Sequence, residues 1–465
     1  VKQDRAGTLW GTRFGFYLAA VGSAFGLGNL WRFPYVTVEN GGGGFVFLYI
    51  MMAVLIGLPL LVAELMLGKL SRRSSVAAFA RLNRDHIGSA NRAKGPSSWV
   101  WVGRLSLFVC VLVFSYYAVV SGWVLFYLGE VLRVSVTGQP FDSGAALSRL
   151  QQGFGLQLIF VFAHLVILTA LVYRGVQQGI ERWVGNVMPA FLILLVVLVY
   201  QSLNLPTAAE GLRFMLYPDF RNITLGSPLA AIGHVCFTLS IGVGTMITFG
   251  SYLKDETHIP SAGFRVTTID TLISLFAGLL VFPMMMSISH SGNGPELLFS
   301  TLPRLLFEID RSVLLGFAFF LCLYFAALGA SLGMFETMVA NLLDITRLNR
   351  RQATAVVGLV ALGLALIPIL THTRGAGRLV FGRPPLEALD ALLINLMMPL
   401  VAMGTALALS RSLKQTRVEE EFINDESQAT RKLFRHWQWS VSYLIPTVIL
   451  GSFVLAAWGW FKSIA

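Results

Sequence analysis

The chain has 465 residues, 55% of them hydrophobic and only 13% charged, against about 25% charged in soluble domains. Its 35 Lys and Arg outnumber 24 Asp and Glu, a formal charge of +11, yet the basic residues sit in short loops between apolar runs, which argues against nucleic acid as a partner. Composition excludes a soluble enzyme and leaves an all-α polytopic membrane protein.

Eleven apolar stretches, each long enough to cross roughly 30 Å of hydrocarbon, fall at 12–36, 43–68, 104–129, 155–173, 184–203, 229–252, 266–289, 312–342, 353–371, 388–410 and 440–461. The first outruns a signal-peptide core and reads as a retained span. With the N-terminus cytoplasmic, 24 of the 35 Lys and Arg fall on the inside. The positive-inside rule therefore sets the N-terminus in and, after eleven spans, the C-terminus out. Cys110, Cys236 and Cys322 lie within apolar stretches, an odd count that reads as buried, reduced thiols. The longest polar loop, 411–439, has mixed charge (Glu419, Glu420, Glu421, Asp425, Glu426) and neither a phosphate-binding loop nor a metal cluster. A transporter without an ATPase must draw on an ion gradient, and a channel needs no energy source. Eleven spans and a short segment between the third and fourth suggest a bacterial inner membrane.

Two spans carry glycines and small polar residues at mid-membrane depth: Gly22-Ser23-Ala24-Phe25-Gly26-Leu27-Gly28-Asn29 and Phe237-Thr238-Leu239-Ser240-Ile241-Gly242-Val243-Gly244. Glycine in a helix interior costs roughly 1 kcal/mol against Ala, and unwound backbone at that depth persists only where it lines a cavity or is buried in protein. For one segment alone, close helix packing of the small-xxx-small kind explains the pattern equally well. The two segments, however, are spans 1 and 6, corresponding positions if 10–205 and 226–411 are two repeats followed by an extra helix at 438–461. Paired interruptions point to a 5+5 inverted-repeat transporter with its site at the midplane. Half-helix ends there hold a carboxylate, and freed carbonyls with nearby Asn, Thr and Asp oxygens hold Na⁺. The chemistry is cation symport of a small anionic or zwitterionic solute. Nothing in the sequence favours a channel or a non-transporting sensor, and no nucleophile and base grouping suggests an enzyme.

Several motifs then resemble the neurotransmitter:sodium symporter family: Trp10-Gly-Thr-Arg13, Gly26-Leu-Gly-Asn29-Leu-Trp-Arg32-Phe-Pro34, Glu39-Asn-Gly-Gly-Gly43, Pro59 to Glu64 with Gly68, Tyr116-Tyr117 with Trp123, Gly179-Ile-Glu-Arg182, Phe237-Thr-Leu-Ser240 and Ser251-Tyr252. The match runs over essentially the whole chain and implies the LeuT-type fold, with broken helices 1 and 6. By this resemblance the substrate carboxylate meets the unwound backbone at Leu27 and Gly28 and the hydroxyl of Tyr117. Gly26 stands where monoamine carriers have an aspartate, which favours an α-amino acid over a decarboxylated amine. The side-chain pocket falls on Val113, Phe237, Ser240, Val243, Ala330 and Met334. It contains no charge to pair a charged side chain, so the implied substrate is a neutral, apolar or aromatic amino acid. Small residues at Val243, Gly329 and Ala330 suggest room for a larger one.

The resemblance also implies ion sites. The first sodium site falls on Ala24, Asn29, Thr238 and Asp270, hard oxygen ligands suited to an alkali cation. The substrate carboxylate completes that site, which couples solute to ion. Chloride-dependent members have a neutral residue at position 270 and bind Cl⁻ beside the serine at 274. Asp270 already supplies the charge, so no chloride is expected. The second sodium site falls on Gly22, Phe25 and Ala326, but the two span-8 hydroxyls of the family are replaced by Gly329 and Ala330. Either water or Ser331 substitutes, or the site is weak or empty, with a proton-coupled or exchange-only carrier as the alternative reading. His234, in place of the family's usual glutamine, is either a proton carrier or a hydrogen-bonded neutral imidazole. The implied outer gate is Arg32 with Asp390. The inner gate is Asp344 with Arg5, since the expected arginine is Gly7 here. Glu64 aligns with a glutamate that satisfies freed backbone N–H groups.

Overall fold

The computed structural model describes residues 9–82, 97–138, 141–287, 297–308, 312–374, 384–412, 415–423 and 428–464. Among them, nine helices are long and apolar enough to cross a membrane. They are span 2 (Gly43–Ser71), span 3 (Val100–Thr137), span 4 (Phe154–Tyr173), span 5 (Val176–Leu203), span 7 (Ile259–Met286), span 8 (Val313–Ile345), span 9 (Arg350–Thr371), span 10 (Pro385–Ser412) and span 11 (Gln428–Gly459). The two remaining apolar stretches are interrupted, which brings the total to the eleven expected. In lipid each helix must satisfy its own backbone, so uninterrupted apolar runs become uninterrupted helices.

Span 1 begins where the Thr12 side chain accepts the N–H of Gly15, runs from Arg13 to Ala24, and stops at Phe25, whose ψ of 113° is extended. It resumes through a widened, π-type turn at Gly28–Arg32 and continues as Phe33–Glu39, with Pro34 directly after the widened turn. Span 6 runs as Ser227–Thr238 and Thr245–Ser251. Between its halves Ser240, Gly242 and Gly244 take φ of +52°, +85° and +76°. The two glycines adopt these values freely, whereas Ser240 holds a conformation that L side chains rarely adopt. Both breaks lie in the segments picked out by their glycines.

Spans 3 and 8 pack along one another, and the first half of span 1 is enclosed by spans 5, 7 and 8. The second half of span 6 lies against span 2. Span 3 is longer at both ends than its apolar core at 104–129, because its flanking residues continue the helix to Thr137. The polar segment after span 10 forms two helices, Gln415–Phe422 and Gln428–Trp439, the second running straight into span 11. Cys110, Cys236 and Cys322 are buried and unbridged.

Candidate functional site

The two breaks face each other across a cavity of about 20 Å³, room for roughly one water. Its walls are Ala24, Gly26 and Gly28 from span 1, Val113 and Tyr117 from span 3, Phe237, Thr238, Ser240 and Val243 from span 6, and Ala330 and Met334 from span 8. Leu27 presents its backbone instead, its N–H donating to Tyr117 Oη at 2.9 Å. The two groups expected to hold a carboxylate therefore meet at one point. A Cβ at Gly26 would lie 2.5 Å from Tyr117 Oη and 2.8 Å from Ala330 Cβ, and one at Gly28 would lie 2.5 Å from the Phe237 ring. Neither position has room for a side chain, so what faces the cavity there is main chain.

Two lining residues lay outside the sequence-derived set. Ser23 sits in the broken motif, and its carbonyl accepts the Ser240 hydroxyl at 3.0 Å. Met398 arrives from span 10, where the close approach of Gly242 to its carbonyl leaves no room for a Cβ. The first was legible as part of the glycine-rich segment, but the second rests on a contact that no local pattern announces.

Beside the cavity, Asn29 Nδ2 donates to Asp270 Oδ1 at 2.9 Å and to Ser274 Oγ at 2.8 Å. Asn29 Oδ1 accepts the N–H of Gly26 at 3.2 Å. The Thr238 hydroxyl donates to the Val235 carbonyl at 3.4 Å, and Tyr49 Oη donates to Ser274 Oγ at 3.0 Å. Asn29, Asp270, Ser274 and Tyr49 thus form one buried hydrogen-bonded cluster tied to the span-1 break through the Gly26 N–H, with Thr238 in the adjoining cavity wall.

The second set behaves differently. A Cβ on Gly329 would stand 2.5 Å from the carbonyl oxygen of Gly22, so spans 1 and 8 approach too closely here for the serine or threonine that a cation site would need. Ala330 offers only a methyl group. Ser331 Oγ meets His164 Nε2 of span 4 at 3.1 Å. Gly22, Phe25 and Ala326 keep their carbonyls, and Gly329 and Ala330 add no side-chain oxygen to them.

Glu64 is fully buried, and its Oε1 accepts the N–H of Gly242 at 2.8 Å, one of the donors freed by the break in span 6. Above the cavity opens a vestibule of about 370 Å³, and Gly28, Tyr117 and Phe237 line both spaces. Arg32 crosses the vestibule wall and is only 5% exposed. Its Nε lies 3.1 Å from Asp390 Oδ2, Nη2 donates to Asn395 Oδ1 at 2.8 Å, and Tyr116 Oη braces Asp390 at 3.0 Å. His234 Nδ1 lies 3.4 Å from Arg32 Nη1. A guanidinium only donates, so this contact is a hydrogen bond only with that imidazole nitrogen unprotonated.

At the other end Asp344 meets Arg73 Nη1 at 2.7 Å and accepts from the Ser74 N–H and hydroxyl at 2.8 and 2.7 Å. Arg5 and Gly7 lie outside the described residues. A second inner contact escaped sequence reading: Glu336, buried in span 8, binds Arg350 through both oxygens at 3.1 and 2.5 Å and accepts from Tyr252 Oη at 2.8 Å.

A model of the sodium:neurotransmitter symporter family matches residues 7–139 and 146–462. The sodium-dependent transporter YhdH of Bacillus subtilis is 31% identical over 443 residues, covering 95% of this chain and 96% of its own. The sodium-dependent serotonin transporter of Drosophila melanogaster is 26% identical over 79% of this chain and 65% of its own. Among solved structures, MhsT in complex with L-phenylalanine superposes with a TM-score of 0.87 at 31% identity, covering 97% of this chain and 99% of that one. The chain is a multi-pass membrane transporter with the LeuT-type fold, and it belongs to the sodium:neurotransmitter symporter family.

Proposed function

We propose that the chain imports a neutral, apolar or aromatic amino acid coupled to one Na⁺, without chloride. The observation that carries this reading is the contact of Gly26 with Tyr117 and Ala330, which leaves no space for a carboxylate side chain to pair a substrate amine. An α-amino acid brings its own carboxylate. That group displaces Tyr117 Oη from the Leu27 N–H and takes both donors, while the amine is met by main-chain carbonyls of the broken spans. The remaining walls, Val113, Phe237, Val243, Ala330, Met334 and Met398, are apolar, and a charged side chain buried there would go unpaired. The L-phenylalanine bound to MhsT is of the same class.

Asn29, Thr238, Asp270 and the Ala24 carbonyl hold the coupled Na⁺ beside the substrate carboxylate, so ion and solute support each other's binding. Asp270 supplies the negative charge, which removes the need for Cl⁻. The approach of Gly22 to Gly329 argues against a second Na⁺. Transport proceeds by alternating access, with spans 1, 2, 6 and 7 rocking against the rest. The Arg32–Asp390 pair closes the outside, and the Asp344 and Glu336 contacts close the inside. The basic loops favour a cytoplasmic N-terminus and an outside C-terminus, and the eleven spans with a short segment between the third and fourth favour a bacterial inner membrane as its location.

The test is uptake of a panel of labelled neutral amino acids into proteoliposomes with an inward Na⁺ gradient in chloride-free medium. Saturable uptake that needs Na⁺ and not Cl⁻ is expected. Uptake driven by a pH gradient alone would replace this reading with the proton-coupled one.

A further inference from the structure

A groove of about 690 Å³ on the membrane-facing surface opens between span 2, the start of span 7 and the helix entering span 11. Its floor is aliphatic and aromatic, and exposed: Val54 at 56%, Leu55 at 45% and Phe264 at 60%. Its rim carries Arg265, His258 and His436, and among the described residues no carboxylate lines it. His258 is already committed, its two nitrogens meeting Ser261 Oγ and the Phe422 carbonyl. Arg265 lies over the Tyr17 ring at 5.2 Å. Among the described residues neither Arg265 nor His436 forms an ion pair.

A second observation points to a ligand. Ser440 lines the same groove at 8% exposure, and its buried hydroxyl has no hydrogen-bond partner. Burying a hydroxyl unpaired is unfavourable unless something at the site completes it. The helix Gln428–Trp439 places the groove at the membrane surface. It buries Phe434 and Trp437 beneath it, anchors to span 2 through Trp437 Nε1 on the Pro59 carbonyl at 3.1 Å, and carries Arg431, Lys432 and Arg435. Trp439 and Tyr443 beside it are 56% and 66% exposed, as interfacial aromatics are.

We propose that this groove is a binding site for one anionic glycerophospholipid from the Lys/Arg-rich leaflet. The phosphate sits against Arg265 and His436, an ester oxygen accepts from the Ser440 hydroxyl, and an acyl chain lies along Val54, Leu55 and Phe264. The exposed aliphatic floor requires an apolar occupant, and Arg265 and His436, neither ion-paired among the described residues, select net negative charge over a zwitterion.

The test is native mass spectrometry of the purified full chain in detergent, incubated separately with phosphatidylglycerol and phosphatidylcholine of matched acyl chains. One retained phosphatidylglycerol is expected, with about a fivefold preference over phosphatidylcholine, the worth of one cation at a membrane surface. The double substitution R265Q/H436Q should bring the two lipids to equal retention, and Leu55→Trp, which fills the floor from a membrane-facing position, should lower retention of both. Equal retention by the unsubstituted chain would overturn the proposal without any variant having to fold, and so would a preference unchanged in R265Q/H436Q.

Discussion

Replacing Asp270 by Asn removes the one carboxylate among the four proposed sodium ligands while keeping its shape. Asp270 is 1% exposed, and its Oδ1 already accepts Asn29 Nδ2 at 2.9 Å, so an amide oxygen fits the same place with little movement. What is lost is charge. Two unit charges about 4 Å apart are worth ~4 kcal/mol at an effective dielectric of ~20. Relief from burying a carboxylate offsets part of that, leaving about 2–3 kcal/mol. The Na⁺ concentration for half-maximal uptake should therefore rise about 30- to 150-fold. The assay is the Na⁺ dose curve of uptake of the labelled amino acid that the panel identifies, into proteoliposomes, first in gluconate and then in chloride. In gluconate, D270N should transport almost nothing at Na⁺ levels that saturate the parent. Any recovery should require chloride, held by the Tyr49, Ser274 and Asn29 cluster in place of the missing charge. Full uptake by D270N in gluconate, at an unchanged Na⁺ requirement, would refute the reasoning.

Three further outcomes follow from the site. Gly26→Ala puts a methyl group 2.5 Å from Tyr117 Oη; overpacking of about 1–3 kcal/mol should raise the KM for uptake by about 5- to 150-fold, and an unchanged KM would show that the cavity wall is soft. Tyr117→Phe removes the hydroxyl that meets Leu27 N–H and should raise the KM about tenfold, the loss of a hydrogen bond to a charged carboxylate; equal KM values would take the carboxylate elsewhere. Introducing serines at both 329 and 330 should lower thermal stability in detergent, because the Gly22 carbonyl stands 2.5 Å from the new Cβ at 329, and should leave the Na⁺ Hill coefficient near one. A coefficient near two would mean that the backbone yields and a second ion enters.

The breaks in spans 1 and 6 were legible because their cause is local: several glycines within a few residues at mid-membrane depth leave few helical alternatives. The residues around the central cavity were legible through the family resemblance, position by position; those on spans 3 and 8 carry no local signal that would single them out. Met398 was not legible, since it reaches the cavity only through the contact between spans 10 and 6. Asp344 was expected to meet Arg5, which lies outside the described residues; among the described ones it binds Arg73 and Ser74, which the end of span 2 delivers beneath span 8. Glu336 did carry a usable signal, a lone acid inside an apolar span, but its partners Arg350 and Tyr252 come from other elements. The helix Gln428–Trp439 was hidden by its charges, because a basic face over a Phe and Trp anchor reads as a loop when only net hydrophobicity is counted.

The central claim is coupling through a single Na⁺, and the most direct measurement is the static-head accumulation ratio. Proteoliposomes carrying the purified chain are clamped at zero membrane potential with equal K⁺ and valinomycin and given a tenfold inward Na⁺ gradient in chloride-free medium. Labelled amino acid is followed until net flux stops. One coupled Na⁺ sets the limiting ratio at about tenfold, and two would set it at about a hundredfold. A plateau near tenfold is the result expected; a plateau near a hundredfold, or none above the outside concentration, would contradict the account.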